Sequence, residues 1–196
     1  MSVTSSNAAI GKGPHLHDVE QKLLLRLAAG DAEAFEQFVL EHRPRIARLV
    51  YRLLGWRGEI EDVVQDVFLV AYRQLPRFRG QSSLATWLVG IAINRCRAYR
   101  RRWLPSWRWM ERLWRQRRPP AAADQATIAD ETAARVRRAV QELAEADREV
   151  IVLYYLEDLP VAQMAGLLGT SSGAIDVRLH RARAKLREKL SDLGEE

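Results

Sequence analysis

An all-α fold divided into two small helical domains is what this 196-residue sequence predicts. Three observations carry that prediction. Apolar residues recur at helical spacing almost everywhere after His17. No stretch shows the apolar/polar alternation of a half-buried strand. And a segment of different composition, rich in arginine and tryptophan, separates two blocks of helical pattern.

The elements follow in order. Residues 1–17, rich in Ser, Gly and Ala, are expected to be a disordered tail. A short helix is expected from about Asp18 to Ala29, stopped by Gly30. Asp31 suits the N-cap of a second helical stretch with Phe35, Phe38 and Val39 on one face. Pro44 either kinks that stretch or restarts it, and Ile46, Leu49, Val50, Leu53 and Leu54 carry its stripe to Gly55. A third helix fits Glu59–Leu75, striped by Ile60, Val63, Val64, Val67, Phe68 and Ala71, with Pro76 after its end. Arg77–Ser83 reads as a loop, and Ser82 or Ser83 caps a fourth helix reaching about Arg102. Leu84, Leu88, Ile91 and Trp87 fall on one side of it, which makes Trp87 a core residue, while Val89 and Ile93 fit neither face. These helices define a first domain, residues 18–102.

From Arg95 to Arg118 ten arginines stand against one acid, Glu111, with Trp103, Trp107, Trp109 and Trp114 among them. Pro119, Pro120 and three alanines follow. Residues 103–130 are expected to be a linker, docked on a surface or partly helical, because four tryptophans do not suit a free tether. A second domain, 131–190, begins with a helix near Thr132–Ala144. Another starts near Asp147 and carries Val150, Ile151, Leu153, Tyr154 and Leu156. Residues 191–196 are a tail.

Composition narrows the function. The formal net charge is +6, which points to a polyanionic partner. Nearly half the residues are hydrophobic, enough for a packed core. Two domains of under about 90 residues each are only marginally stable alone and gain from a partner. With one cysteine, Cys96, neither a disulfide framework nor a cysteine-rich zinc site can form. His15 and His17 lie in the tail and His42 and His180 are isolated, so no metal site is expected. The phosphate-cradling Gly-x-x-x-x-Gly-Lys-Ser/Thr loop is absent, and neither a cofactor nor a catalytic constellation is expected. No apolar run reaches membrane-spanning length and the first residues lack a signal core, so a cytoplasmic protein without membrane insertion is expected.

Leu159–Leu190 has the pattern of a helix-turn-helix. A helix over Val161–Leu168 has small Ala165 midway, where a second helix crosses. A turn at Gly169–Thr170 follows, and Ser171 or Ser172 caps a longer helix. On that helix Leu179, Ala182 and Leu186 all fall within about 40° of Ile175, a single buried stripe. Arg178, Arg181 and Lys185 form one basic flank, Arg183 and Arg187 the other. Such a helix suits the major groove, with the flanks on phosphates and the residues between them on base edges.

Two blocks of sequence resemble the extracytoplasmic-function (ECF) sigma factors. One comprises Leu143–Leu153, Leu159–Gly169 and Gly173–Arg183, and is similar to the family's region 4, which binds the promoter −35 element. The other comprises Asp31–Phe35, Glu61–Phe68 and Leu84–Asn94, and is similar to region 2, which binds the polymerase clamp and the −10 element. The resemblance implies a subunit that gives core RNA polymerase its promoter specificity and helps melt the DNA. Its partners would be promoter DNA, the clamp of the largest polymerase subunit, the flap of the second-largest, and an anti-sigma factor that masks these surfaces.

The resemblance assigns residues. Glu61, Asp62, Gln65, Asp66 and Phe68 match the clamp-binding face. Arg79, Gly80, Gln81, Ser82 and Ser83 match a loop that holds a flipped −10 base, with Thr86, Asn94, Arg97 and Arg101 on the helix beyond. An amide beside two arginines can read a base edge while the arginines hold phosphates. Ser171, Ser172, Ala174, Asp176, Val177, Arg178, His180, Arg181, Arg183 and Lys185 match the −35 reader. Asp176 and Thr170 depart from the usual pattern. A carboxylate at 176 repels phosphate but can accept from the cytosine amino group. The rival reading is a helix-turn-helix regulator that binds duplex operator DNA without polymerase. A nucleic-acid enzyme fits less well, since no carboxylate cluster is spaced for metals.

Overall fold

A computed structural model of the chain describes residues 22–27, 29–55, 60–116 and 128–191. The expected tail 1–17 lies outside them, as does the expected tail 191–196 apart from Ser191. Residues 22–27 are helical and turn at Gly30. Then come α1 (Ala32–Leu54), α2 (Ile60–Gln74), a 3₁₀ turn (Leu75–Arg77), α3 (Leu84–Gln116), α4 (Ile128–Glu142), α5 (Glu145–Tyr155), α6 (Val161–Leu168) and α7 (Ser172–Lys189).

The caps form where the residue types predict them. The Asp31 carboxylate accepts from the Ala34 amide at 3.1 Å and starts α1. It also pairs with Arg26, whose hydrogen bond holds the Asp31 carboxyl below its ordinary pKa. Ser83, not Ser82, accepts from the Thr86 amide at 3.1 Å to start α3. Pro44 neither breaks nor restarts α1, which runs through it. The proline is exposed, so the carbonyl it leaves unbonded one turn earlier can turn to water.

The α1, α2 and α3 helices pack on one another around Phe38, Leu49, Leu53, Val64, Val67 and Leu88. Val89 and Ile93 are fully buried. Because α3 is flanked by both α1 and α2, its buried arc is wider than one stripe. Trp87, expected in the core, is half-buried at its edge and packs against Phe78, ring centroids 5.1 Å apart.

The helical backbone of α3 continues to Gln116, and α4 opens at Ile128. The expected linker 103–130 is therefore helical over much of its length, and 117–127 fall outside the described residues. In the C-terminal half, α5, α6 and α7 close around Val150, Leu153, Met164, Ile175 and Leu179. No described helix is long and apolar enough to cross a membrane.

Candidate polymerase and nucleic-acid interface

The α2 helix presents one face to the α1–α3 core and another outward. Glu61, Asp62, Gln65 and Asp66 are exposed, and Glu61 is engaged by Arg43. Phe68, which periodicity places on the apolar stripe and the resemblance on the clamp-binding face, is only 6% exposed and sits edge-on to Phe38 at 6.2 Å between centroids. It supports the face from beneath. The apolar component of the surface is instead Leu69 and Tyr72, 46% and 54% exposed, with the Phe35 ring edge-on to Tyr72 at 4.9 Å. Acids and an amide beside two exposed apolar side chains are the composition of a protein-docking patch. The sequence reading missed Leu69 and Tyr72. The signal was present: large apolar residues at 69 and 72, one helical turn apart and off the stripe.

Between α2 and α3 the chain turns through Gly80 at φ +68°, a left-handed conformation that glycine adopts without strain. Arg79, Gln81 and Ser82 are exposed there. The Ser83 hydroxyl is committed to capping and to the Thr86 hydroxyl at 3.0 Å. Asn94 and Arg101 are exposed on α3 and share a shallow groove of about 300 Å³ with Gln74, Arg95, Val70 and Ile91. The buried Arg95 Nε has no hydrogen-bond partner. Gln74 and Arg95 were not anticipated, because they belong to the groove only once α2 and α3 are packed. Arg97, expected beside Asn94, points elsewhere: it donates twice to Glu149 of α5, Nε–Oε1 3.0 Å and Nη2–Oε2 2.7 Å. Those bonds raise its already high pKa.

The helix-turn-helix forms as its sequence predicts. Gly169 caps α6 in the left-handed region, φ 65° and ψ 43°. Ser171, not Ser172, caps α7, accepting from the Ala174 amide at 3.2 Å. Ile175, Leu179 and Ala182 are buried. Ser171, Ser172, Asp176, Val177 and His180 are exposed, while Ala174 and Arg178 are half-buried.

Not every basic flank is available to DNA. Arg181 and Lys185 both bind the fully buried Asp147 carboxylate, at 2.5 and 2.8 Å. Burial pushes that carboxyl up, but the bonds from Arg181 and Lys185 outweigh it and hold the pKa below the ordinary value. Asp147 thus ties α5 to α7. Arg183 lies over Tyr154 and Tyr155 and donates to the Tyr155 hydroxyl at 2.8 Å. Beside Asp147, Arg148 is also buried and donates to the carbonyls of Leu53, Gln141 and Leu143.

Comparisons with known proteins agree with this architecture. Sigma-70 region 2 matches residues 38–104, and Sigma-70, region 4 matches 133–186. The ECF RNA polymerase sigma factor SigM of Mycobacterium tuberculosis is 30% identical, over 95% of this chain and 92% of its own. CnrH, solved in complex with the cytosolic domain of CnrY, is 30% identical with a TM-score of 0.64, covering 89% of this chain and 99% of that one. The sigma factor RpoE of Bartonella quintana, solved with the anti-sigma factor NepR, shares the fold at 24% identity and a TM-score of 0.57, over 82% of this chain and 98% of that one. An all-helical chain with a bundle, then a helix-turn-helix, is the class the fold defines. The chain belongs to the ECF sigma factors of the sigma-70 family.

Proposed function

We propose that the chain docks on core RNA polymerase through α2, reads the −35 element with α7, and opens the −10 element by capturing unstacked non-template bases at the Gly80 loop and Asn94. One observation carries this reading. A loop with a positive-φ glycine, a groove with an exposed amide and arginines, and a helix-turn-helix occur in fixed order on one chain.

Docking uses Asp62, Gln65, Asp66, Leu69 and Tyr72, with Glu61 at the edge. The exposed apolar pair supplies buried area and the acids set orientation. At the −35 element, Asp176, Val177 and His180 face the bases between flanking cations. Val177 can meet a thymine methyl, and Asp176 can accept from a cytosine amino group. At the −10 element, bases extruded at a few kcal/mol each are retained by the loop and the α3 groove, so opening is driven by capture. Cytoplasmic residence and an anti-sigma partner accord with this reading.

Run-off transcription with core polymerase tests it. Asn94→Ala should lower open-complex formation, read by permanganate footprinting, with core binding unchanged. Arg178→Ala should weaken dependence on the −35 element. Unchanged transcription from both variants would refute these site assignments.

A further inference from the structure

We propose that residues 103–116, the outer part of α3, form an interfacial helix that adsorbs the chain reversibly onto anionic lipid bilayers. The proposal stands apart from the promoter contacts assigned above.

Charge singles the segment out. Residues 101–118 hold seven arginines and one acid, Glu111. The chain has 31 basic and 25 acidic residues, and without this stretch the counts are 24 and 24. The whole formal excess of +6 therefore lies here. Helical register then divides the segment into two faces. α3 is continuous from Leu84 to Gln116. At about 100° per residue, Trp103, Trp107, Met110 and Trp114 fall within an arc of about 60°. Arg101, Arg108, Arg112 and Arg115 fall within a second arc of about 60°, centred about 140° from the first. Trp109 lies outside the apolar arc. The apolar arc continues the line of α3 that carries Leu88, Ala92 and Cys96 into the core. Tyr99 on that line is still packed against the core, while Arg101 and Arg102 just beyond it are exposed.

A line that carries three indoles past the core needs a medium that takes an apolar ring and its N–H together. The bilayer interface is such a medium, because tryptophan settles at headgroup level with its ring toward the acyl chains and its N–H in reach of water and lipid oxygens. A helix with tryptophans on one face and arginines on the other lies in the plane of that interface, and an anionic surface attracts the cations. At about 1.5 Å per residue the segment is only about 20 Å long and is crossed by arginines, so it lies on a bilayer and does not span it. Duplex DNA would engage the arginine face but leaves the tryptophan face without a role. A bilayer uses both. The arginine arc shares its register with Asn94, so adsorption leaves the −10 residues of α3 on the side away from the lipid.

The test uses the full chain and two kinds of vesicle, phosphatidylcholine alone and phosphatidylcholine mixed with phosphatidylglycerol. The chain should co-sediment with the mixed vesicles and much less with the neutral ones. Its tryptophan emission should shift to the blue on the mixed vesicles and be quenched by lipids brominated in the acyl chain. Arg108→Gln with Arg112→Gln and Arg115→Gln should weaken partition about a hundredfold, from about fivefold for each cation near the surface. The exchange Trp107→Arg with Arg108→Trp keeps composition and charge but moves one indole off the face. It should weaken partition about tenfold and leave the helical circular dichroism signal unchanged, which guards against misfolding. Failure of the full chain to co-sediment with the mixed vesicles would overturn the proposal. Blue emission already present without lipid and unmoved by it would do the same, since another part of the chain would then cover the face. Equal partition of the exchange variant and the parent would show that the amphipathic face is not what binds, and would also overturn it. If the glutamine triple bound vesicles as the parent does but bound duplex DNA more weakly, the segment would be a nucleic-acid arm and the proposal would fall.

Discussion

Gly166 within α6 and Gly169 at its C-cap, three residues apart, should respond to the same substitution with opposite signs. Gly166 is an exposed helix-interior residue, and a Cβ there would meet nothing within 4 Å. Gly166→Ala should stabilise the chain by about 0.8–1 kcal/mol, the difference in helix propensity. Gly169 is equally open but sits at φ 65°. With no clash to relieve, Gly169→Ala isolates the backbone cost of the left-handed region for an L-residue, about 1–2 kcal/mol. Gly169→Asn should cost less, because asparagine tolerates that region. With a urea slope of about 2 kcal/mol/M, the alanine variants should move the unfolding midpoint up by roughly 0.5 M and down by roughly 0.5–1 M respectively. Circular dichroism in urea reads both. If both alanines stabilised, the Gly169 turn would not be left-handed in solution, and the geometry that presents α7 would be wrong.

Other outcomes follow from the described contacts. The folded pKa of Asp147 is depressed, so its pairing stabilises the fold above the ordinary carboxylate pKa of about 3.9 and is lost as pH falls through the lower folded value. Asp147→Asn should lower stability near neutrality and flatten that acid limb, seen in urea midpoints measured from pH 7 to 3. Burial pushes the Cys96 thiol up to about 12, so a thiol-specific chromogenic reagent at pH 8 should react only when urea exposes it. Prompt reaction in buffer would contradict its place in the core. Leu69→Ser with Tyr72→Ser should weaken co-purification with core polymerase while lowering the melting temperature only modestly, since both side chains are about half exposed.

The helix-turn-helix was legible in sequence because its determinants are local: a glycine for the turn, a hydroxyl for the cap, and apolar residues at 3.6 spacing. The same holds for Asp31 and for the stripe of α2. What hydropathy hid were the charges whose partners are distant. Asp147, Arg148, Glu149 and Glu157 are polar in any window, yet all are buried, because each meets groups on other elements. Arg97, Arg181 and Lys185 were expected on DNA for the complementary reason: a helical projection shows which way a side chain points but not what has packed there. Phe68 is buried as its place on the apolar stripe of α2 predicts, and Leu69, about 100° further round the helix, carries the exposed apolar surface that the resemblance had assigned to Phe68.

The central claim is that promoter recognition belongs to the complex of this chain with core polymerase. Mobility shifts on a promoter fragment selected by the holoenzyme, run with and without core enzyme at several salt concentrations, test it most directly. The chain alone should bind weakly, with strong salt dependence and without sequence preference, and binding should become specific when core is added. Tight, sequence-specific binding of duplex DNA by the chain alone, unaffected by core polymerase, would contradict it.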